Sequence, residues 1–234
     1  MEAFNFLFIE KTHYSDALRL QETLHQASIS SKAIDGKTRN YLVFLQHNPV
    51  YTLGKSGDES HLKVPVEECG AEFFKTSRGG DITFHGPGQL VGYPIFDLAS
   101  FKIGVRDYVD LIEECVIQLC SNYGVTTGRL AGASGVWVDA EGENPRKICA
   151  VGIKISRGVS MHGFAFNINT DLSYFENIVP CGIEDKGVTS LSKECGINQT
   201  VEKVIPEMLQ IFQQKFTNKY IAEEEELTVD QNFI

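Results

Sequence analysis

The chain has 234 residues, 42% of them hydrophobic and 22% charged, and a formal net charge of -10. That length supports one full core, the composition excludes wholesale disorder, and the negative balance excludes the basic surface a nucleic-acid partner requires. No run approaches the ~18 apolar residues of a membrane span and the first residues lack the basic start of a secretory signal, so the expectation is a cytoplasmic protein with no membrane partner.

Apolar alternation or short apolar runs bounded by turn residues mark strands at Asn5 to Ile9, Tyr41 to Gln46, Glu72 to Ser77, Gln89 to Phe96, Gly135 to Val138, Lys147 to Ile155 and Val159 to Ile168. Helical spacing first appears from Ser15 to Ala27, with Leu18, Leu20 and Leu24 as its apolar positions. A stronger helix presents Val105, Tyr108, Val109, Ile112, Val116, Leu119, Cys120 and Tyr123 on one face. It turns Asp107, Asp110, Glu113 and Glu114 outward and stops at Gly124. A third starts after Thr200, an N-cap residue, and carries Val201, Val204, Ile205, Met208, Ile211, Phe212 and Phe216. Lys203 stands where a capping box wants Glu, so that cap is partial. Glu223 to Glu226 and Asp230 read as a solvated acidic tail, which divides the chain into one domain over 1–221 and a tail over 222–234. Strands and helices in this mixture give an α+β class.

The six cysteines sit in dissimilar surroundings without C-x-x-C spacing or a nearby His pair, so neither a disulfide framework nor a metal site is expected. Cys115 and Cys120 fall on the second helix and read as buried thiols. The segment Arg78-Gly79-Gly80-Asp81-Ile82-Thr83-Phe84-His85-Gly86-Pro87-Gly88-Gln89 crowds glycines around polar residues, which brings backbone close to something. A ligand loop and a glycine-rich hairpin both satisfy it. Two further segments stand out: Arg146-Lys147-Ile148-Cys149-Ala150-Val151-Gly152, with a lysine heading an apolar run, and Pro180-Cys181-Gly182-Ile183, with a cysteine on a tight turn. Between them lies Met161-His162-Gly163-Phe164-Ala165-Phe166-Asn167-Ile168-Asn169.

In this order, and with His47-Asn48-Pro49-Val50-Tyr51-Thr52-Leu53-Gly54 upstream, the segments resemble the lipoyl(octanoyl) transferase family over roughly residues 40–195. The resemblance implies the fold of biotin and lipoate protein ligases, a central mixed sheet flanked by helices. It also implies transfer of an octanoyl group from octanoyl-acyl carrier protein to a lysine of lipoyl domains, those of 2-oxoacid dehydrogenase E2 subunits and of the glycine cleavage H protein, with no cofactor. It makes Cys181 the nucleophile that carries the acyl group as a thioester and Lys147 its proton-handling partner. The family's substrate-binding stretches correspond to Arg78, Gly79, Gly80, Asp81, Ile82, Thr83, Phe84 and His85, to Ala150, Val151 and Gly152, and to Gly163, Phe164 and Ala165.

Arg78 reads as an anchor for loop or substrate carbonyls, with Asp81 as an alternative structural partner. Tyr93 and His162 are supporting candidates, His162 as a proton carrier and Tyr93 as a pocket wall or a satisfied core tyrosine. Cys149 stands where the family pattern leads one to expect alanine and offers a second thiol near the site. Four other readings remain open: an ATP-dependent lipoate or biotin ligase of the same fold, an enzyme of that fold that moves octanoyl groups between two lipoyl-bearing proteins, a non-catalytic homologue that binds lipoyl domains or acylated carriers, and a thiol hydrolase.

Overall fold

The computed structural model describes residues 4–36, 38–179 and 186–229, with Asp35 and 218–229 as backbone only. Strand β1 (Asn5–Thr12) leads into helix α1 (Tyr14–Asp35), followed by β2 (Tyr41–His47), β3 (Val50–Leu53), β4 (Glu72–Lys75), β5 (Ile82–His85) and β6 (Gln89–Ile95). After α2 (Val105–Asn122) come β7 (Thr127–Leu130), β8 (Ala133–Val138), β9 (Arg146–Ser156), β10 (Val159–Asn167), β11 (Gly187–Val188), α3 (Leu191–Cys195) and α4 (Val201–Val229).

An eight-stranded sheet runs β1-β2-β6-β10-β9-β8-β7, with β11 added beside β9, and a three-stranded sheet runs β4-β3-β5. The β1–β2, β9–β11 and β3–β4 pairs are parallel and the others antiparallel, so the architecture is the mixed sheet with flanking helices that the family resemblance implies. Successive strand residues point to opposite faces, and β2 shows both uses of this period. Leu42 and Phe44 enter the main core under α2 and α4, whereas Val43 and Leu45 meet Ala17, Leu20 and Leu24 of α1 on the other face. Val201, Val204, Ile205, Met208, Ile211, Phe212 and Phe216 of α4 are all buried, as their three- and four-residue spacing requires.

Three differences from the sequence reading have physical causes. Helix α1 continues past Ala27 through a serine-rich stretch whose side chains compete with helical hydrogen bonds. It does so because the buried Ser28 hydroxyl donates to Leu24 O (3.0 Å) and is within 2.6 Å of Arg39 O, and because Lys32 pairs with Asp97 at 2.8 Å. Glu113 is buried instead of facing water: its carboxylate accepts from the Gly135 N–H (2.7 Å) and from Arg129 Nε (3.0 Å), and so ties α2 to the far edge of the sheet. Strands β3, β5 and β7, four residues each, are too short to show a period in sequence and form only against their neighbours.

The central sheet also demands a residue without a side chain at Gly163. A Cβ there would stand 2.2 Å from Gly92 O and 2.6 Å from Pro94 Cδ, across the β6–β10 interface. We expect Gly163→Ala to destabilise the fold by about 1–3 kcal/mol through overpacking, read as a lower urea midpoint. An unchanged midpoint would show that the two strands yield freely.

Candidate active site

The face of the large sheet that carries α1 is also the face against which the small sheet folds. The two enclose a cleft of about 320 Å3. Val91 and Tyr93 of β6 and Ala165 of β10 belong to that face and form part of the cleft wall, while their neighbours Leu90, Phe164 and Phe166 enter the main core. On the small sheet the alternation in β5 divides the residues similarly. Thr83 and His85 line the cleft, whereas Ile82 and Phe84 point away into a second core with Tyr51, Leu53, Phe175 and Ile178.

Of the residues singled out in the sequence, Arg78, Gly80, Asp81, Thr83, His85, Tyr93, Lys147, Ala150, Val151, Gly152, His162, Gly163, Phe164 and Ala165 all line this one cleft. Gly79 stands behind it, donating its N–H to Ile153 O of β9 at 2.9 Å. Cys181 lies outside the described residues. Tyr14, Ser56, Val91 and Gly132 to Ser134 also line the cleft and were not singled out. Only the run of polar and small residues around each distinguishes them in sequence.

Lys147 reaches the cleft through a local irregularity. On β8 and β9, Val136 pairs with Cys149 but Trp137 pairs with Lys147, so Ile148 is an extra residue on β9. Such a bulge shifts the alternation, and Lys147 joins Ala150 in the cleft although three positions separate them. The Lys147 side chain is buried, with Nζ 4.7 Å from the ring centre of Trp137, the sole tryptophan and a residue the sequence reading passed over. The chain downstream of Cys181 returns to this same point: Val188 of β11 pairs with Lys147, and the Thr189 N–H donates to Lys147 O at 3.0 Å.

A line of hydrogen bonds runs across the cleft floor from Arg78 to Thr189. The buried guanidinium donates to Thr52 O, to Thr52 Oγ1 (2.9 Å from Nη2) and to Gly79 O (3.0 Å). Thr52 Oγ1, an acceptor towards the arginine, is left with its own proton to donate to His85 Nε2 at 3.1 Å. His85 Nδ1–H then donates to Gln89 Oε1 (2.9 Å), Gln89 Nε2 to Asn167 Oδ1 (2.9 Å), and Asn167 Nδ2 to Thr189 O (3.0 Å). Asp81 takes other partners: it accepts from the Ile82 N–H (2.7 Å) and pairs with His61 Nδ1, which fastens the glycine loop from its outer side.

The histidines of the floor are held neutral. Burial, then the nearby His47 and Arg78, push the His85 pKa well down, and burial takes that of His47 to about 4. His47 Nε2 therefore accepts the Tyr93 hydroxyl proton at 2.7 Å, and burial raises the Tyr93 pKa well above its usual range. His162 is lowered to about 3 by burial, then by Arg78, Lys154 and His25. Its backbone adopts a left-handed φ of 62° within β10, its N–H donates to Gln21 Oε1 (3.0 Å), and its buried Nε2 has no hydrogen-bond partner among the described residues. So low a proton affinity suits hydrogen bonding at neutral pH better than proton carriage.

Cys149 does not compete as a nucleophile. It is fully buried in the main core, where burial pushes its thiol pKa well up, because the bulge turns it away from Lys147. Among the described residues no group of His, Cys, Asp and Glu is arranged to hold a metal ion, and no helix is long and apolar enough to cross a membrane.

A two-sheet cleft with a buried lysine and a glycine-rich loop on this topology defines a catalytic domain of the lipoate ligase class, and residues 13–213 match the model of the lipoyl protein ligase A/B catalytic domain. The chain is 47% identical to an octanoyltransferase of Parabacteroides distasonis over 220 residues, covering 92% of this chain and 100% of that one. It is 46% identical to an octanoyltransferase of Flavobacterium johnsoniae, over 86% and 92% of the two chains. A bipartite lipoate protein ligase from Thermoplasma acidophilum, solved in a study that includes its E2 lipoyl domain, shares the fold with a TM-score of 0.66 at 14% identity, over 97% of this chain and 92% of that one. The chain belongs to the lipoyl protein ligase A/B catalytic-domain family, among its octanoyltransferases, and is an acyltransferase.

Neutral buried histidines make folding pH-dependent. His47 falls from 6.5 to about 4 on folding, so its contribution is complete above pH 6.5 and is lost as pH drops towards 4, where the unfolded chain takes up a proton that the folded one refuses. We expect the unfolding free energy from urea titration to fall between pH 7 and pH 5. His47→Gln should reduce that fall by about 2 kcal/mol. Equal pH slopes in the two proteins would contradict this assignment.

Proposed function

We propose that this enzyme takes an octanoyl group from the thioester of an acyl carrier protein onto Cys181 and passes it to the ε-amine of a lysine on a lipoyl domain, as in 2-oxoacid dehydrogenase E2 subunits and glycine cleavage H protein. The observation that supports this most is the position of Lys147, buried in the cleft and paired through β11 with the chain that leads away from Cys181.

Exchange between two thioesters is nearly balanced in free energy, so a cysteine is a suitable relay. In the first half-reaction the Cys181 thiolate attacks the donor carbonyl, the C–S bond to the carrier breaks, and the departing carrier thiolate takes a proton. The Lys147 ammonium favours the thiolate by its charge and supplies that proton. In the second half-reaction the substrate amine attacks the Cys181 thioester, its surplus proton passes to the now neutral Lys147, and the amide forms as the C–S bond to Cys181 breaks. Each turnover thus returns thiol and amine to their starting states. The alkyl chain lies against Val91 and Ala165, and the small residues Gly80, Gly152 and Gly163 leave backbone accessible to the developing oxyanion.

Intact-mass measurement after mixing the enzyme with octanoyl carrier protein, without ATP and without acceptor, should show a gain of one octanoyl group, mapped to Cys181. Cys181→Ala should show none, and Lys147→Ala should lower kcat about a hundredfold or more while leaving the circular dichroism spectrum unchanged. Full turnover by Cys181→Ala would remove the covalent route, and modification that appears only with ATP and free octanoate would replace the transferase by a ligase.

A further inference from the structure

A second concavity, a groove of about 570 Å3, opens outside the catalytic cleft between the segment 172–179 and the chain from Lys186 through β11 to α3. Lys63, Lys186 and Lys193 line it in a chain whose net charge is -10, and Glu176 is the acidic residue among them. The Glu176 carbonyl accepts from Lys63 Nζ at 3.3 Å, a neutral contact that leaves the lysine its charge. The inner wall is apolar, formed by Phe175, Ile178 and Val188 among others.

The groove and the cleft are neighbours, with one small cavity between them. Phe175 and Val188 also line a constriction of about 10 Å3, whose remaining walls include Lys147, Ala150 and Ala165 of the catalytic cleft. The apolar wall of the groove thus borders, across this one small cavity, the residues that surround Lys147. Val179 and Lys186, the described residues on either side of the segment that holds Cys181, both line the groove.

We propose that this groove binds the phosphodiester of the phosphopantetheine arm by which an acyl carrier protein holds its acyl group, an assignment that rests on the function proposed above. The arm is a slender chain with one fixed negative charge near its protein end and the thioester at its tip. It matches a groove with cations at the rim and an apolar wall leading to Lys147. The acceptor is a poor match, because its reacting side chain is itself a cation and three lysines repel it. The donor enters by the lysine groove, and the acceptor reaches the acyl group from the open mouth of the cleft.

The test compares octanoyl-phosphopantetheine, octanoyl-pantetheine and octanoyl carrier protein as donors for the full chain and for the Lys63→Ala/Lys193→Ala double variant, in which two exposed side chains are shortened. The unsubstituted enzyme should favour the phosphorylated small donor. In the double variant the KM for that donor and for the carrier protein should rise about tenfold, so that the two small donors become equivalent. Retained preference for the phosphorylated donor would overturn the assignment. So would an increase confined to the carrier protein, which would mean that the lysines read the carrier's surface, or an increase in the KM of the acceptor domain. Absence of transfer from carrier protein by the unsubstituted chain would overturn the proposed function, and this docking site with it.

Discussion

The buried Arg78 guanidinium is the contact on which the site depends. A cation out of water is costly unless its donors are satisfied, and here they are spent on backbone and hydroxyl oxygens of two neighbouring segments, Thr52 of β3 and Gly79 of its own loop. That loop rests on the large sheet, through the Gly79 N–H on Ile153 O and through the bare backbone of Gly152, where a Cβ would meet Gly79 O at 3.1 Å and Arg78 Cδ at 3.3 Å. Arg78 thereby holds the small sheet against the large one, and the cleft is the space left between them.

Its charge also sets the chemistry of the floor. Arg78 contributes, after burial, to lowering His85 and His162, and so keeps the imidazoles neutral and confined to hydrogen bonding. Removing the histidines from proton traffic leaves Lys147 as the cleft residue suited to it in the proposed reaction. Trp137 restrains its ammonium through a ring face, while Thr189 fixes its backbone and ends the line of hydrogen bonds that begins at Arg78. The loop that orders the substrate side of the cleft and the strand that carries the lysine thus share one rigid network.

The lysine groove, which shares Phe175 and Val188 with the small cavity beside Lys147, extends this arrangement outward. Strand β11, only two residues long, lies between the groove and the cleft, and its Val188 lines the groove and the small cavity beside Lys147. So short a strand is held by its partner β9, which makes the pairing of Val188 with Lys147 both a structural tie and a boundary between the donor's side and the acyl chain's side.

The long amphipathic helices, the strands of the large sheet and most cleft residues are legible in the amino-acid sequence, because periodicity and the spacing of glycines against charged residues are local properties of the chain. The glycines around Arg78 and His85 mark that loop from its own neighbours, whereas Lys147 and Gly152 are named through the family resemblance. Neither gives the depth at which each sits. The extra residue at Ile148, which turns Lys147 into the cleft and Cys149 into the core, exists only because β9 must pair with β8 in that register. Burial of Glu113, neutrality of His47 and the turning of Ile82 and Phe84 away from the cleft likewise depend on which surfaces meet. Sequence determines what each segment presents to its neighbours; tertiary packing decides which groups lose water and which charges then face one another.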